Sequence, residues 1–139
     1  MDAIQTLPRL ENLSRDECLR LLANDEIGRI AVNDFHLPVV FPVNYRLDGD
    51  AVIFRSDVGT KQSRGQWAAA SFEIDHFDRV DRTGWSVIVK GRLEEVINTD
   101  HETFERVHAL TVDPWGGGEK QHWMRLTPTE ISGRRIIAS

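Results

Sequence analysis

The chain has 139 residues, 40% hydrophobic and 28% charged, with a net charge of −5 from 22 acids against 17 bases. That length supports one domain with a real core but not two. The acidic balance, with Lys and Arg spread along the chain, argues against nucleic acid as the main partner. No apolar run approaches the roughly 20 residues that span a bilayer, and the first eleven residues carry no secretory core. The single cysteine, Cys18, precludes an internal disulfide and fits a reducing cytoplasm.

Residues 1–13 show little periodicity and read as a flexible arm before a single domain over 14–139. Ser14 and Glu17 have the spacing of a capping box, so a helix starts there, with Leu19, Leu21 and Leu22 on its apolar side and its end near Asn24-Asp25. Cys18 lies within it as a packing residue. Ile27 to Val32 alternates as a half-buried strand does, and Asn33, Asp34 and His36 mark a turn. A second strand covers Pro38 to Leu47. Asp48-Gly49-Asp50 is a hairpin signal, and Ala51 to Arg55 is the third strand. A short helix over 61–67, a fourth strand over Ala68–Asp75 and a long fifth over Trp85–Val96 follow. Gly91 interrupts the fifth strand and predicts a bulge or corner. Asn98 to Asp100 caps a helix over 100–110 with Phe104, Val107 and Leu110 on one face. Gln121–Leu126 is the sixth strand, and residues 129–137 hold a further short one. Hairpin-linked strands with few helices predict a small antiparallel barrel; the absence of G-x-G-x-x-G disfavours a Rossmann domain.

The segment with most chemistry is Arg55-Ser56-Asp57-Val58-Gly59-Thr60-Lys61. A strand end, a glycine, two hydroxyls and two cations together suit a phosphate. Gly59 permits close backbone approach, Ser56 and Thr60 donate hydroxyls, and Arg55 and Lys61 supply charge. Pro42 stands in mid-strand, where a missing N–H belongs at an edge, a bulge or a ligand-facing backbone. Trp115, in Pro114-Trp115-Gly116-Gly117-Gly118, reads either as a lid over a flat ligand or as a loop pinned by its own tryptophan. The five histidines are scattered, with no Cys pair and no H-E-x-x-H, so no metal is expected. No Gly-x-Ser-x-Gly elbow supports nucleophilic hydrolysis.

Taken in order, several segments resemble the flavin-binding split-barrel family related to pyridoxamine 5′-phosphate oxidase, in its short actinobacterial-type branch. They are Ile27–Val32, Pro42-Val43-Asn44-Tyr45, Ile53-Phe54-Arg55-Ser56, Gly59-Thr60-Lys61, Phe72-Glu73-Ile74-Asp75, Gly84–Arg92 and His122-Trp123-Met124-Arg125-Leu126. The resemblance runs from about Ser14 to Arg135. It implies a six-stranded antiparallel split barrel, mainly β with short helices, and a homodimer with flavin sites at the dimer interface. It implies FMN as cofactor, with hydride transfer through flavin N5 and a small-molecule redox substrate. The phosphate then falls to Arg55, Ser56, Thr60 and Lys61, and the isoalloxazine edge to Pro42, Val43 and Asn44. Trp85, Trp123 and Arg125 are contributed from the partner subunit. Relatives of this size also include deazaflavin (F420) reductases and non-catalytic flavin- or heme-binding modules. The C-terminal Gly133-Arg134-Arg135-Ile136-Ile137 departs from the Arg/His pattern of the true oxidase.

Overall fold

The computed structural model describes residues 9–57, 68–97, 101–113, 115 and 122–138. Along the chain these form β1 (Arg9–Asn12), α1 (Arg15–Ala23), β2 (Ile27–Asp34), β3 (Leu37–Asp48), β4 (Ala51–Ser56), β5 (Ala69–Asp78), β6 (Thr83–Glu95), α2 (His101–His108) and β7 (His122–Ile137). The expected 61–67 helix, its Trp67, the 98–100 cap and the Gly116–Gly118 run lie outside the described residues.

The strands pair antiparallel in the order β7-β4-β3-β2-β5-β6, and the ring closes because β6 returns to β7. This is the predicted six-stranded split barrel. One edge of β7 is bonded by β6 along most of its length. The other edge is shared, with β4 on His122–Leu126 and β1 on Arg134–Ile137. Here the chain departs from the sequence reading, which leaves residues 1–13 as an arm. Arg9–Asn12 are a strand, because the far half of β7 offers backbone groups that β4 does not reach.

A second departure concerns residues 129–137, which continue β7 and are not a separate short strand. A bulge makes the continuity work: Lys90 faces Glu130 and Gly91 faces Pro128, so Thr129 is the extra residue. Any Cβ at Gly91 would lie 2.1 Å from the Thr127 carbonyl oxygen, so only glycine fits. The bulge predicted from Gly91 is therefore observed.

Alternation sorts every strand into an inner and an outer face. Inner residues Ile30, Tyr45, Val52, Phe54, Phe72, Ile74, Val87, Val89, Met124 and Leu126 form the main core. Each contributes on the order of 1.5–3 kcal/mol by leaving water. Gly28 leaves room for the Phe72 ring. The capping box at Ser14 and Glu17 is formed as predicted. It starts α1 so that Cys18 and Leu22 close one end of the core, and burial pushes the Cys18 thiol up. Tyr45 Oη donates to the Leu22 carbonyl at 2.5 Å. A smaller core of Ile53, Val96 and Val107, flanked by Phe104, Leu110 and Trp123, forms on the outer face of β4 under α2.

Candidate functional site

The outer face of β3, β4 and β7 gathers five of the eight described residues of the predicted site: Pro42, Asn44, Arg55, Trp123 and Arg125. On β3, Val43 packs inward on the core, whereas Pro42 and Asn44 alternate outward. Only Tyr45–Asp48 of β3 pair with β4; among the described residues, Leu37–Asn44 pair on one side alone, with β2. Pro42 thus sits where the barrel is open, as its missing N–H predicts.

Beside that opening lies a cavity of about 260 Å³ walled by Glu26, Asn44, Arg46, Thr111, Asp113 and Trp115. Asn44 Oδ1 accepts the Trp115 backbone N–H at 2.8 Å, while the indole stays 69% exposed. Trp115 is thus held by its backbone N–H rather than by its ring. Asn44 Nδ2 is buried without a hydrogen-bond partner. Such an orphan donor costs about 1–3 kcal/mol unless something accepts from it.

Arg55 and Ser56 leave β4 on opposite faces. Arg55 lies outside, its guanidinium carbon 5.2 Å from the centroid of the Trp123 ring and Nη1 donating to the Val112 carbonyl at 3.3 Å. Trp123 is 4.7 Å from His108, which stacks on Phe104 at 4.0 Å. Burial, then the Arg55 charge, holds the His108 pKa down. Ser56 is buried on the inner face opposite His122. Thr60 and Lys61, which complete the predicted phosphate group, lie outside the described residues.

Arg125 lies on the outer face of β7, two residues beyond Trp123. Its Nη2 donates to Glu94 Oε1 at 2.6 Å, yet its Nε is buried with no partner. Trp85 is elsewhere: it faces Arg135, twelve positions along β7 from Trp123, with its ring 6.4 Å from His76. Within one chain it does not join Arg55 and Asn44.

Two polar groupings escaped sequence reasoning. His122 Nδ1 is 2.8 Å from Glu95 Oε2, both side chains being mostly covered. The signal was present, since Glu95 falls in the inward series of Trp85, Val87, Val89 and Leu93 on β6. The second is Arg29 with Glu73 and Asp75 on the outer face of β2 and β5, at 3.3 and 3.9 Å. Desolvation, followed by the hydrogen bond and charge of Asp75, pushes Glu73 up to about 7 against the opposing Arg29. Among the described residues no three His, Cys, Asp or Glu side chains assemble as a metal site, and no helix is long and apolar enough to cross a membrane.

Known proteins share this fold and sequence. A structure from Corynebacterium glutamicum, provisionally described as a pyridoxamine 5′-phosphate oxidase, superposes with a TM-score of 0.79 at 29% identity, over 96% of this chain and 97% of its own. The FAD binding protein from Mycobacterium smegmatis superposes with a TM-score of 0.73 at 32% identity, over 90% and 98%. The uncharacterized protein Rv0080 of Mycobacterium tuberculosis is 32% identical across 96% of this chain and 90% of its own length. The sequence profile of the pyridoxamine 5′-phosphate oxidase family matches residues 14–135, and with these relatives it shows that the chain belongs to that family.

Proposed function

We propose that this chain is an FMN-binding oxidoreductase acting as a cytoplasmic homodimer on a small redox substrate. The observation that carries the reading is the buried, unpartnered Asn44 Nδ2 at the open edge of β3. A flavin's pyrimidine ring presents acceptors, and both orphan donors, Asn44 Nδ2 and Arg125 Nε, are of the matching kind. Bound flavin supplies hydride transfer at N5, while the protein sets orientation and electronics. Asn44 and the backbone beside Pro42 hold the ring edge. Trp115 covers its face and excludes water. Ser56, Thr60 and Lys61 hold the phosphate, with Arg55 contributing charge from the opposite face of β4.

The homodimer rests on outer-face apolar surface. Phe35, Leu37 and Val40 are exposed beside a groove of about 430 Å³ walled by small residues, Ala31, Ala69, Ser71 and Gly91 among them. The apolar positions Val87 and Val89 of β6 add nothing to that surface, because both are fully buried in the chain's own barrel.

FAD is a second reading, favoured by the name of the M. smegmatis relative, and F420 a third. Fluorescence titration of the purified protein with FMN, FAD and F420 tests all three. The expected result is tight FMN binding that Asn44→Ala weakens by roughly two- to tenfold, as for one neutral hydrogen bond. Binding of F420 alone would replace the flavin reading, and binding of none would end it.

A further inference from the structure

We infer that the second copy of the proposed homodimer lies on the outer face of β5, β6 and β7, its two-fold axis along β6, with Arg134 of each protomer bonded to Asp75 of the other. This rests on the homodimer reading above. Alternation on β6 sends Val87 and Val89 into the core and Ser86, Ile88 and Lys90 outward. The helices leave that outer surface open: α1 closes one end of the main core, and α2 lies over β4. Ile88 stands half-buried at its middle, between Glu73 of β5 and Ser132 of β7. A hollow of about 240 Å³ opens beside it, with Asn12, Ser132 and Arg134 among its walls. Past Ser71 the same surface continues into the groove assigned above to the second copy.

The charges on this face are unequally shared across β6. On one side Glu73 and Asp75 have a single cation between them, Arg29, at 3.3 and 3.9 Å. On the other side Arg134 is exposed, and its guanidinium has no ion-pair or hydrogen-bond partner among the described residues. Lys90 and Glu130 neutralise each other at 3.5 Å. An acidic excess and a basic excess on one face make a contact that is complementary to its own copy. The register fixes how it closes. Asp75 pairs with Ser86, and Ser86 with Arg134, so the two stand level, one strand to either side of β6. A two-fold axis along β6 exchanges these sides. It sets each Arg134 over the partner's Asp75 and packs Ile88 against its own copy at the axis. Packed sheets stand about 10 Å apart, a gap that an Arg and an Asp side chain close together. Lys90 also nears its copy, but it brings Glu130 with it. A two-fold axis across the strands would lay β5 on β5 and gather the carboxylates, leaving Arg134 unpaired.

The test is the dimer Kd by sedimentation velocity at pH 8, where Glu73, pushed up to about 7, is ionised. Arg134→Glu and Asp75→Arg should each raise that Kd roughly tenfold or more, because each sets like charges face to face. Combined in one chain, they should restore it to within a few fold. Ile88→Glu, which puts two carboxylates at the axis, should give monomers at micromolar concentration. Circular dichroism checks that each variant is folded. If a reversed variant does not fold, Arg134→Gln, which only removes the charge, should still weaken the dimer several-fold. Unchanged dimer affinity in folded Arg134→Glu or Ile88→Glu would overturn the inference. So would two weakened single variants that the double change does not restore. A wild type that stays monomeric would remove the homodimer reading, and this one with it.

Discussion

At the scale of single residues, Arg125 and Glu73 make opposite demands on water. Arg125 is 23% exposed and shares its charge with Glu94, so it is neither a free surface cation nor a fully uncompensated one. A cation near flavin N1 favours the reduced state. Arg125→Gln is therefore predicted to lower the flavin midpoint potential, by up to roughly 30 mV per 1.4 kcal/mol lost. Glu94→Gln, which unmasks the cation, should raise it; equilibrium dye reduction measures both, and unchanged potentials would remove Arg125 from the site. Glu73 is an acid whose folded pKa is pushed up to about 7 from 4.5. The folded chain binds this proton more tightly than the unfolded chain, so the stabilisation is full below about pH 4.5 and is lost as pH rises through about 7. Glu73→Gln should flatten the pH dependence of the thermal midpoint across that window and raise the midpoint near pH 8. A profile identical to wild type would show that the carboxyl is well solvated. Arg125 was named through the family resemblance, whereas Glu73 does not announce itself in sequence. Glu73 reads as an ordinary outward position in Phe72-Glu73-Ile74-Asp75, and only the β2–β5 register sets Arg29 beside it.

At the scale of elements, the capped start of α1, the Asp48-Gly49-Asp50 hairpin and the bulge at Gly91 were legible, because each depends on local chemistry. Gly49 does adopt positive φ, +62°. Strand β1 and the unbroken β7 were not legible, since both are decided by which distant backbone groups remain to be paired. The β2–β3 hairpin lies between these cases. Its position was readable, but Phe35 and His36 form a two-residue loop in which both have positive φ, 50° and 67°. That is the geometry Asn-Gly fills without strain. Replacing Phe35-His36 by Asn-Gly should relieve on the order of 1–3 kcal/mol per strained residue and raise the denaturation midpoint. No gain in urea unfolding would mean that the two side chains compensate the strain within the monomer. If Phe35 serves the contact between copies, the same change should weaken association.

At the scale of the whole molecule, the β2–β3, β3–β4 and β5–β6 hairpins and alternating hydrophobicity made a small antiparallel barrel legible, whereas its split form was implied by the family resemblance and the β2–β5 and β4–β7 pairings join strands distant in sequence. The site could be read only in part. Pro42, Asn44, Arg55, Trp123 and Arg125 do share one outer face, but Ser56 belongs to the inner one and Trp85 to the far end of β7. Period-two alternation separates residues that are neighbours in sequence, and within one chain Trp85 faces Arg135, twelve positions along β7 from Trp123. Light scattering should give twice the 15.9 kDa chain mass at micromolar concentration. A monomer would contradict the proposed homodimer. The central claim, that this barrel carries a flavin, is tested most directly by the visible absorption spectrum of the freshly purified protein, with mass spectrometry of the molecule released on denaturation. The expected result is the two-banded yellow spectrum of oxidised flavin and release of FMN. A Soret band, or a deazaflavin spectrum with release of F420, would contradict it.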